Sequence, residues 1–432
     1  MKRSRLPLLA IFPITVITLV TVLPLAIGTY PLRWQSGSLL PRLVTRQATT
    51  RPSTSSASVT AVSATATPDA VQTVRVARLW RPGMPQWGVQ LYWADDPRQS
   101  IASITRQAWL QAKYLIGLKA NSVALSFPFH TGTVTSDEIF ASSTTPSPQR
   151  LGAVLEVFEQ AGLRTTVRPL MDEKSLGGLP NWRGSIRPAD RNAWFASYRT
   201  FLLPYLDVAQ RYHVTTFTIA TELSSMEGDP RWQSLLDVAA EHFSGEIGYD
   251  ANWDQYADDP ITMPVEHLGV DAYFPVDAPD TASVHTLVDG WNTWLDKKAT
   301  GPLPRILLSE AGIAAMDGAY AAPGDFSTMR PGNSEVQANW YTAVCHVVQQ
   351  RHMGGVYWWF LPFISNPFAA PNNTDSRLDF ASRPHTEAAI RSCFASPGRY
   401  PGPGIAPASA VAMGGAKGRS AWPRSARPGA GG

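Results

Sequence analysis

Between residues 87 and 362 the chain repeats one unit: a short run of aliphatic, β-branched and aromatic residues, then a longer stretch with apolar residues at helical spacing. The runs are WGVQLYW (87–93), NSVALSFPF (121–129), LRTTVRPLM (163–171), TTFTIATEL (215–223), GEIGYDANW (245–253), EHLGVDAYF (266–274), RILLSEAG (305–312) and GGVYWWFLP (354–362), eight in all. The stretches between them, such as SPQRLGAVLEVFEQAG and DRNAWFASYRTFLLPYLDVAQRYH, open on Ser or Asp, as helix N-caps do. Only the fifth connection, around 255–265, is short. Strands that alternate with helices form parallel sheets, and eight units of this length predict a (β/α)8 barrel of the TIM type, whose functional residues sit at the C-terminal ends of the strands. An open doubly wound sheet is the alternative, but it normally carries a glycine-rich first turn, which is absent here.

The two ends have a different character. Lys2, Arg3 and Arg5 precede about twenty apolar residues, enough to cross a bilayer as a helix, so residues 1–30 are expected to be an uncleaved signal anchor, with a cleaved signal peptide as the alternative. Residues 31–74 are rich in Ser, Thr and Ala and read as a flexible linker, and 396–432 as a disordered Pro/Gly/Ala-rich tail. The folded unit is then 75–395, expected to work outside the membrane. A net charge of +3 on 432 residues gives little reason to expect nucleic acid as a partner. The two cysteines, Cys345 and Cys393, have no zinc spacing, and the eight histidines form no HExxH. No P-loop is present either, so neither a metal nor any other cofactor is expected.

Two acids close predicted strands. Glu222 ends the fourth run and Glu310 the seventh. A single Glu at a strand end is ordinarily where the chain meets water. Two of them on nearly opposite sides of one barrel mouth have the composition that glycoside hydrolysis needs, a proton donor and a nucleophile or base flanking the scissile bond.

The runs VRPLMDEKSLGGLPNWRGSI, WFASYRTFL, TIATELSSME, YDANWD, LGVDAYFPV, ILLSEAGI and GVYWWF resemble, in order over about residues 85–365, the barrel of glycoside hydrolase family 113, within the large clan of retaining barrel glycosidases. That resemblance implies β-1,4-mannan hydrolysis, with Glu222 as acid/base and Glu310 as nucleophile. It also implies that Tyr273, at the end of the sixth run, hydrogen-bonds the nucleophile. One departure is Thr221, where many clan members carry an Asn that holds the sugar 2-hydroxyl; Asn252 is the candidate to replace it.

The remaining candidates follow from position. Asp271 shares a face with Tyr273 and is expected to orient the site or to pair with Arg168. Arg168 must itself be paired if buried, with Asp172 or Glu222 as expected partners. Of Trp358 and Trp359, one should face the mouth and stack on sugar while the other packs outward. Trp93, Trp182 and Trp253 are further candidate platforms, and His130 a candidate sugar ligand, although packing is the commoner role for each taken singly. Cys345 and Cys393 fall in neighbouring outer helices and form a candidate disulfide. The expected partner is a polysaccharide or oligosaccharide; no oligomeric state is assigned. Two non-catalytic readings compete, a carbohydrate-binding protein using the same cleft and an inert cell-envelope scaffold.

Overall fold

The structure, a computed structural model, describes residues 73–178, 180–371 and 377–396. The anchor expected at 1–30, the linker except its last two residues, and the tail except its first lie outside the described residues. Among the described residues no helix is long and apolar enough to cross a membrane.

Eight parallel strands close a barrel: β1 Gln86–Tyr92, β2 Ser122–Phe129, β3 Arg164–Met171, β4 Thr216–Thr221, β5 Glu246–Asn252, β6 His267–Asp271, β7 Ile306–Ala311 and β8 Gly355–Pro362. Each strand pairs with its sequence neighbours and β8 returns to β1, as the repeat of the sequence requires. The strand ends differ from expectation where the mouth begins: β4 stops at Thr221 rather than Leu223, and β6 at Asp271 rather than Phe274. There the chain leaves the ladder and turns over the rim.

The helices ring the barrel: α1 Ile101–Gly117, α2 Pro148–Gln160, α3 Arg191–Arg211, α4 Arg231–His242, α5 Trp253–Asp258, α6 Val284–Leu295, α7 Ser334–Gln350 and α8 Pro384–Ala395. Four of them start where a side chain accepts the first free backbone N–H groups, at Ser100, Ser147, Asp190 and Ser283. A fifth, α7, is capped by Asn333, one residue before the expected Ser334.

Strand period divides the side chains. On β1, Gln90 and Tyr92 point inward while Val89 and Leu91 pack outward beneath the helices. On β8, Trp358 lies outward against Tyr341 of α7, ring centroids 4.3 Å apart. At the barrel floor, Arg164 pairs with Glu246 and takes the ring of Trp80, 4.8 Å away, as a lid.

Cys345 on α7 and Cys393 on α8 are joined as a disulfide across 48 residues, bearing out the expected pairing. By the chain-entropy model a loop of that length contributes about 4 kcal/mol, and engineered removals often give less. Cys393→Ser should therefore lower the unfolding free energy by about 2–4 kcal/mol in urea titration while leaving kcat unchanged, because the bridge lies on the outer ring.

Candidate active site

The barrel interior is organised by one guanidinium. Arg168 on β3 is fully buried and reaches three carboxylates on three strands: Asp250 of β5 through Nε at 2.6 Å, Asp271 of β6 through Nη2 at 2.6 Å, and Glu310 of β7 through Nη1 at 2.5 Å. This corrects the expected pairing with Asp172 or Glu222. Asp172 instead accepts from the Tyr92 hydroxyl, at the end of β1. Gly269 makes room for the network, since a Cβ there would lie 2.1 Å from Asp250 and 2.6 Å from Ser309.

The charges do not balance, one cation facing three acids. Although burial opposes its charge, Asp271, Glu310 and Asp250 together hold Arg168 firmly cationic. Asp271, wholly buried, is pushed up from the ordinary carboxylate range by burial, against the pull of Arg168. Glu310 is raised too, by burial, but Arg168 and the phenol of Tyr273 work against the shift. Tyr273 donates to Glu310 Oε2 at 2.5 Å, the contact that the family resemblance implies.

Two irregularities in the ladder aim the acids. Between β6 and β7, Val270 pairs with Leu308 but Asp271 with Glu310, so Ser309 is an extra residue. The bulge brings consecutive side chains to one network, Ser309 Oγ on Asp271 and Glu310 on Arg168. A second register shift, between Thr218 and Ala220 of β4, precedes Glu222. Each shift leaves a carbonyl without its ladder partner, and each is satisfied by a buried side chain: Gln90 Nε2 on Ser309 O at 2.8 Å, and Tyr198 Oη on Ile219 O at 2.7 Å.

Glu222 follows β4 with φ +53°, a left-handed conformation that costs a non-glycine residue about 1–2 kcal/mol. The backbone there is held by Glu222 N–H on Asp250 O at 2.7 Å. Its carboxylate meets Arg183 Nη1 at 2.8 Å. Burial raises the Glu222 pKa to about 7 against the lowering effect of Arg183, and the negative charge of Glu310 adds to the rise. The two acids therefore share one electrostatic site.

Exposure separates side chains that can touch a ligand from those that cannot. Glu222, Glu310, Tyr273 and Trp359 keep 1–3% exposure and Asn252 8%, whereas Arg168, Asp271, Trp93 and Trp358 keep none. Trp93 is therefore corrected from sugar platform to core: it continues the outward face of Val89 and Leu91 and packs on Phe363 at 4.8 Å. Arg168 and Asp271 are internal supports rather than substrate ligands, and their ion pair is the one that the sequence offered for Asp271. Trp359 is the inward member of its pair, with Arg168 5.9 Å from its ring centroid. Trp253 packs edge-on against Trp294 at 5.2 Å, a packing role. His130 is half-buried at the end of β2, with Nε2 2.8 Å from Ser142 Oγ and Nδ1 3.6 Å from Glu173. Among the described residues no group of His, Cys, Asp and Glu is arranged to hold a metal ion.

The model of Glycoside Hydrolase Family 113 matches residues 101–375, well over half the chain. The chain belongs to glycoside hydrolase family 113. It is therefore an O-glycosyl hydrolase. Two solved family 113 β-1,4-mannanases resemble it, one at 17% identity covering 73% of this chain and 100% of its own, TM-score 0.61, the other at 15% covering 72% and 99%, TM-score 0.60. A family 113 β-mannanase from Alicyclobacillus acidocaldarius in complex with ManMIm is 19% identical over 72% of this chain and 97% of its own, TM-score 0.57. At such identities the likeness establishes the shared barrel. No curated protein matches the chain.

Three residues of this family 113 site escaped the sequence reading. Asp250 stands two positions before Asn252 on the inward face of β5, and strand period alone would have found it. Tyr92 stands one position before the misplaced Trp93, where the same period points it into the mouth. Arg183 comes from the loop after β3, inside NWRGSI, and a loop has no period to read. For the Tyr273–Glu310 bond, which favours the ionised carboxylate, Tyr273→Phe should move the acid limb of the pH–rate profile upward. It should also lower kcat/KM by about 10- to 100-fold, the worth of a hydrogen bond to a charged group.

Proposed function

We propose that this family 113 enzyme cleaves a β-linked polysaccharide, β-1,4-mannan first among candidates, with retention of anomeric configuration, Glu222 serving as acid/base and Glu310 as nucleophile. The observation that carries the reading is the pairing of two buried carboxyls at one barrel mouth with opposite support. Glu310 takes charge-stabilising contacts from Arg168 and Tyr273, and Glu222 is left protonated up to about pH 7. That the similar family 113 structures are of β-mannanases supports the substrate.

In the first half-reaction Glu310 attacks the anomeric carbon while Glu222 gives its proton to the departing glycosidic oxygen. Esterification then removes the charge of Glu310. That charge was one of the causes raising the Glu222 pKa, so the pKa falls as the glycosyl-enzyme forms. Glu222 is thereby readied to take a proton from water in the second half-reaction. Trp359 offers an apolar sugar face a ring at the floor of the mouth. Asn252 already accepts Trp253 N–H through Oδ1 at 2.9 Å, so its amide N–H is what it offers a 2-hydroxyl in place of the Asn that Thr221 displaces.

We place the enzyme outside the cytoplasm, tethered by its N-terminal apolar segment; the Cys345–Cys393 bridge supports an oxidising compartment.

The test is hydrolysis of mannan, glucan, xylan and galactan by the full-length protein, with product configuration read by NMR. Mannan should be the best substrate and the first-formed product should retain its configuration. Glu310→Ala should lose about 10³-fold or more in kcat, and Glu222→Gln about 10²- to 10⁴-fold on polymer. Wild-type kcat/KM should fall as pH rises through about 7, where Glu222 loses its proton. Inversion, or activity that survives Glu310→Ala, would refute the assignment.

A further inference from the structure

Arg183 is the one charged side chain from a loop that touches either proposed catalytic acid among the contacts described. The loop is built to deliver it. After β3 the chain forms a two-residue hairpin, Gly177–Gly178 against Asn181–Trp182, and then a tight turn over Arg183–Ser185. Ser185 Oγ accepts Trp182 N–H at 3.1 Å and returns a bond to Trp182 O at 2.9 Å. Gly184 has the Trp182 ring so close that a Cβ would lie 2.3 Å from it, so the turn accepts only glycine there.

The far side of the loop is tied as firmly. Ser225 Oγ, from the segment after β4, donates to Ile186 O at 2.5 Å, and Arg187 N–H to Val134 O at 2.6 Å. The guanidinium is then fixed at two points, Nε on the Met171 carbonyl at 3.0 Å and Nη1 on Glu222 Oε2 at 2.8 Å, with 7% of the residue exposed. A fork held by a main-chain carbonyl at one tine has little freedom at the other.

We propose that Arg183 is a positioning residue for Glu222, holding its carboxyl in place and balancing its proton so that one group gives a proton in the first half-reaction and takes one in the second. This rests on the two-carboxylate reading above. In the first step the Glu222 O–H bond breaks toward the glycosidic oxygen, the glycosidic C–O bond breaks, and Glu310 bonds the anomeric carbon. In the second, water passes a proton to the Glu222 carboxylate, its oxygen bonds the anomeric carbon, and the Glu310 ester breaks.

A donor wants its proton held and a base wants it released, so neither extreme serves both steps. Burial alone would leave Glu222 too weak an acid to become a base. Of the other charged and titratable groups around it, Glu310 of β7 and Asp254 of α5 push its pKa up, while Arg168 of β3 is a second cation shared with three other acids. Asp271, Tyr273 and Tyr249 also sense its charge, each pushed upward chiefly by burial, which keeps the two phenols neutral. Arg183 is the cation bonded to Glu222 itself.

The experiment compares wild type, Arg183→Gln and Arg183→Lys in the full-length protein by ¹³C NMR titration of the glutamate carboxyls without substrate, alongside pH–rate profiles. The Glu222 midpoint should rise by about one to three pH units in Arg183→Gln, the effect of removing an adjacent opposite charge, and stay near wild type in Arg183→Lys. The basic limb of kcat/KM should move up with it, and an activated aryl glycoside should show a burst as the second step slows. A midpoint that stays or falls in Arg183→Gln overturns the proposal. Should that variant not fold, Arg183→Lys decides: a lysine cannot bridge Met171 O and Glu222 as a fork does, so kcat should fall at least tenfold with KM within twofold. A raised KM with unchanged kcat would mark a substrate contact instead and overturn it. If wild type cleaves no β-glycoside, the proposed function fails, while the titration still judges Arg183.

Discussion

A single buried guanidinium, Arg168, ties four of the eight strands to one another and sets the electrostatics above it. An arginine wholly removed from water is tolerable only with its charge met and its donors occupied, and losing one partner of such a pair typically costs about 3–5 kcal/mol. Replacing the whole cluster with well-packed apolar residues would often cost nothing, so stability alone does not explain it. What the cluster provides is placement: it fixes Glu310 against Arg168 at one oxygen and Tyr273 at the other.

The ladder yields where the chemistry is aimed. A regular β7 would alternate Ser309 and Glu310 across the sheet, and only one could face the network. The bulge puts both there, and the carbonyl it frees is taken by Gln90, a polar residue on β1 whose amide has this reason to be buried. The same device operates before Glu222, with Tyr198 of α3 capturing Ile219 O. The register shifts that aim the acids and the polar side chains that cap the carbonyls they free are thus parts of one arrangement.

Much of this was legible because it follows from period. Eight runs and their spacing define the barrel, Glu222 and Glu310 take their places from counting strand ends, and Tyr273 came from the family resemblance. The error at Trp93 came from weighting residue type over alternation: its neighbour Tyr92 faces the mouth, and Trp93 shares the outward side with Val89 and Leu91. Bulges cannot be read this way, since one extra residue leaves the hydrophobic pattern nearly intact while reversing every side chain beyond it. Of the partners of Arg168, Asp271 was among those expected, Asp250 was open to the same period, and Glu310 was hidden by its bulge. Arg183 was beyond reach for another reason, because its position depends on a turn whose geometry is set by Gly184 under a tryptophan ring.

The two arginines differ in how they are shared, and that difference separates the two acids. Arg168 divides its charge among three carboxyls, Asp250, Asp271 and Glu310, and Tyr273 adds a second donor to Glu310 alone. Arg183 serves Glu222 with one bond, and no second donor to that carboxyl accompanies it among the contacts described. At equal burial Glu310 thus takes two donors and Glu222 one, and burial pushes the Glu222 carboxyl up to about 7. Had Tyr273 and Arg168 faced Glu222 instead, the proposed roles of donor and nucleophile would be exchanged. The proposed division of labour thus rests on the count of donors around each carboxyl and not on the identity of the two residues, which are both glutamate.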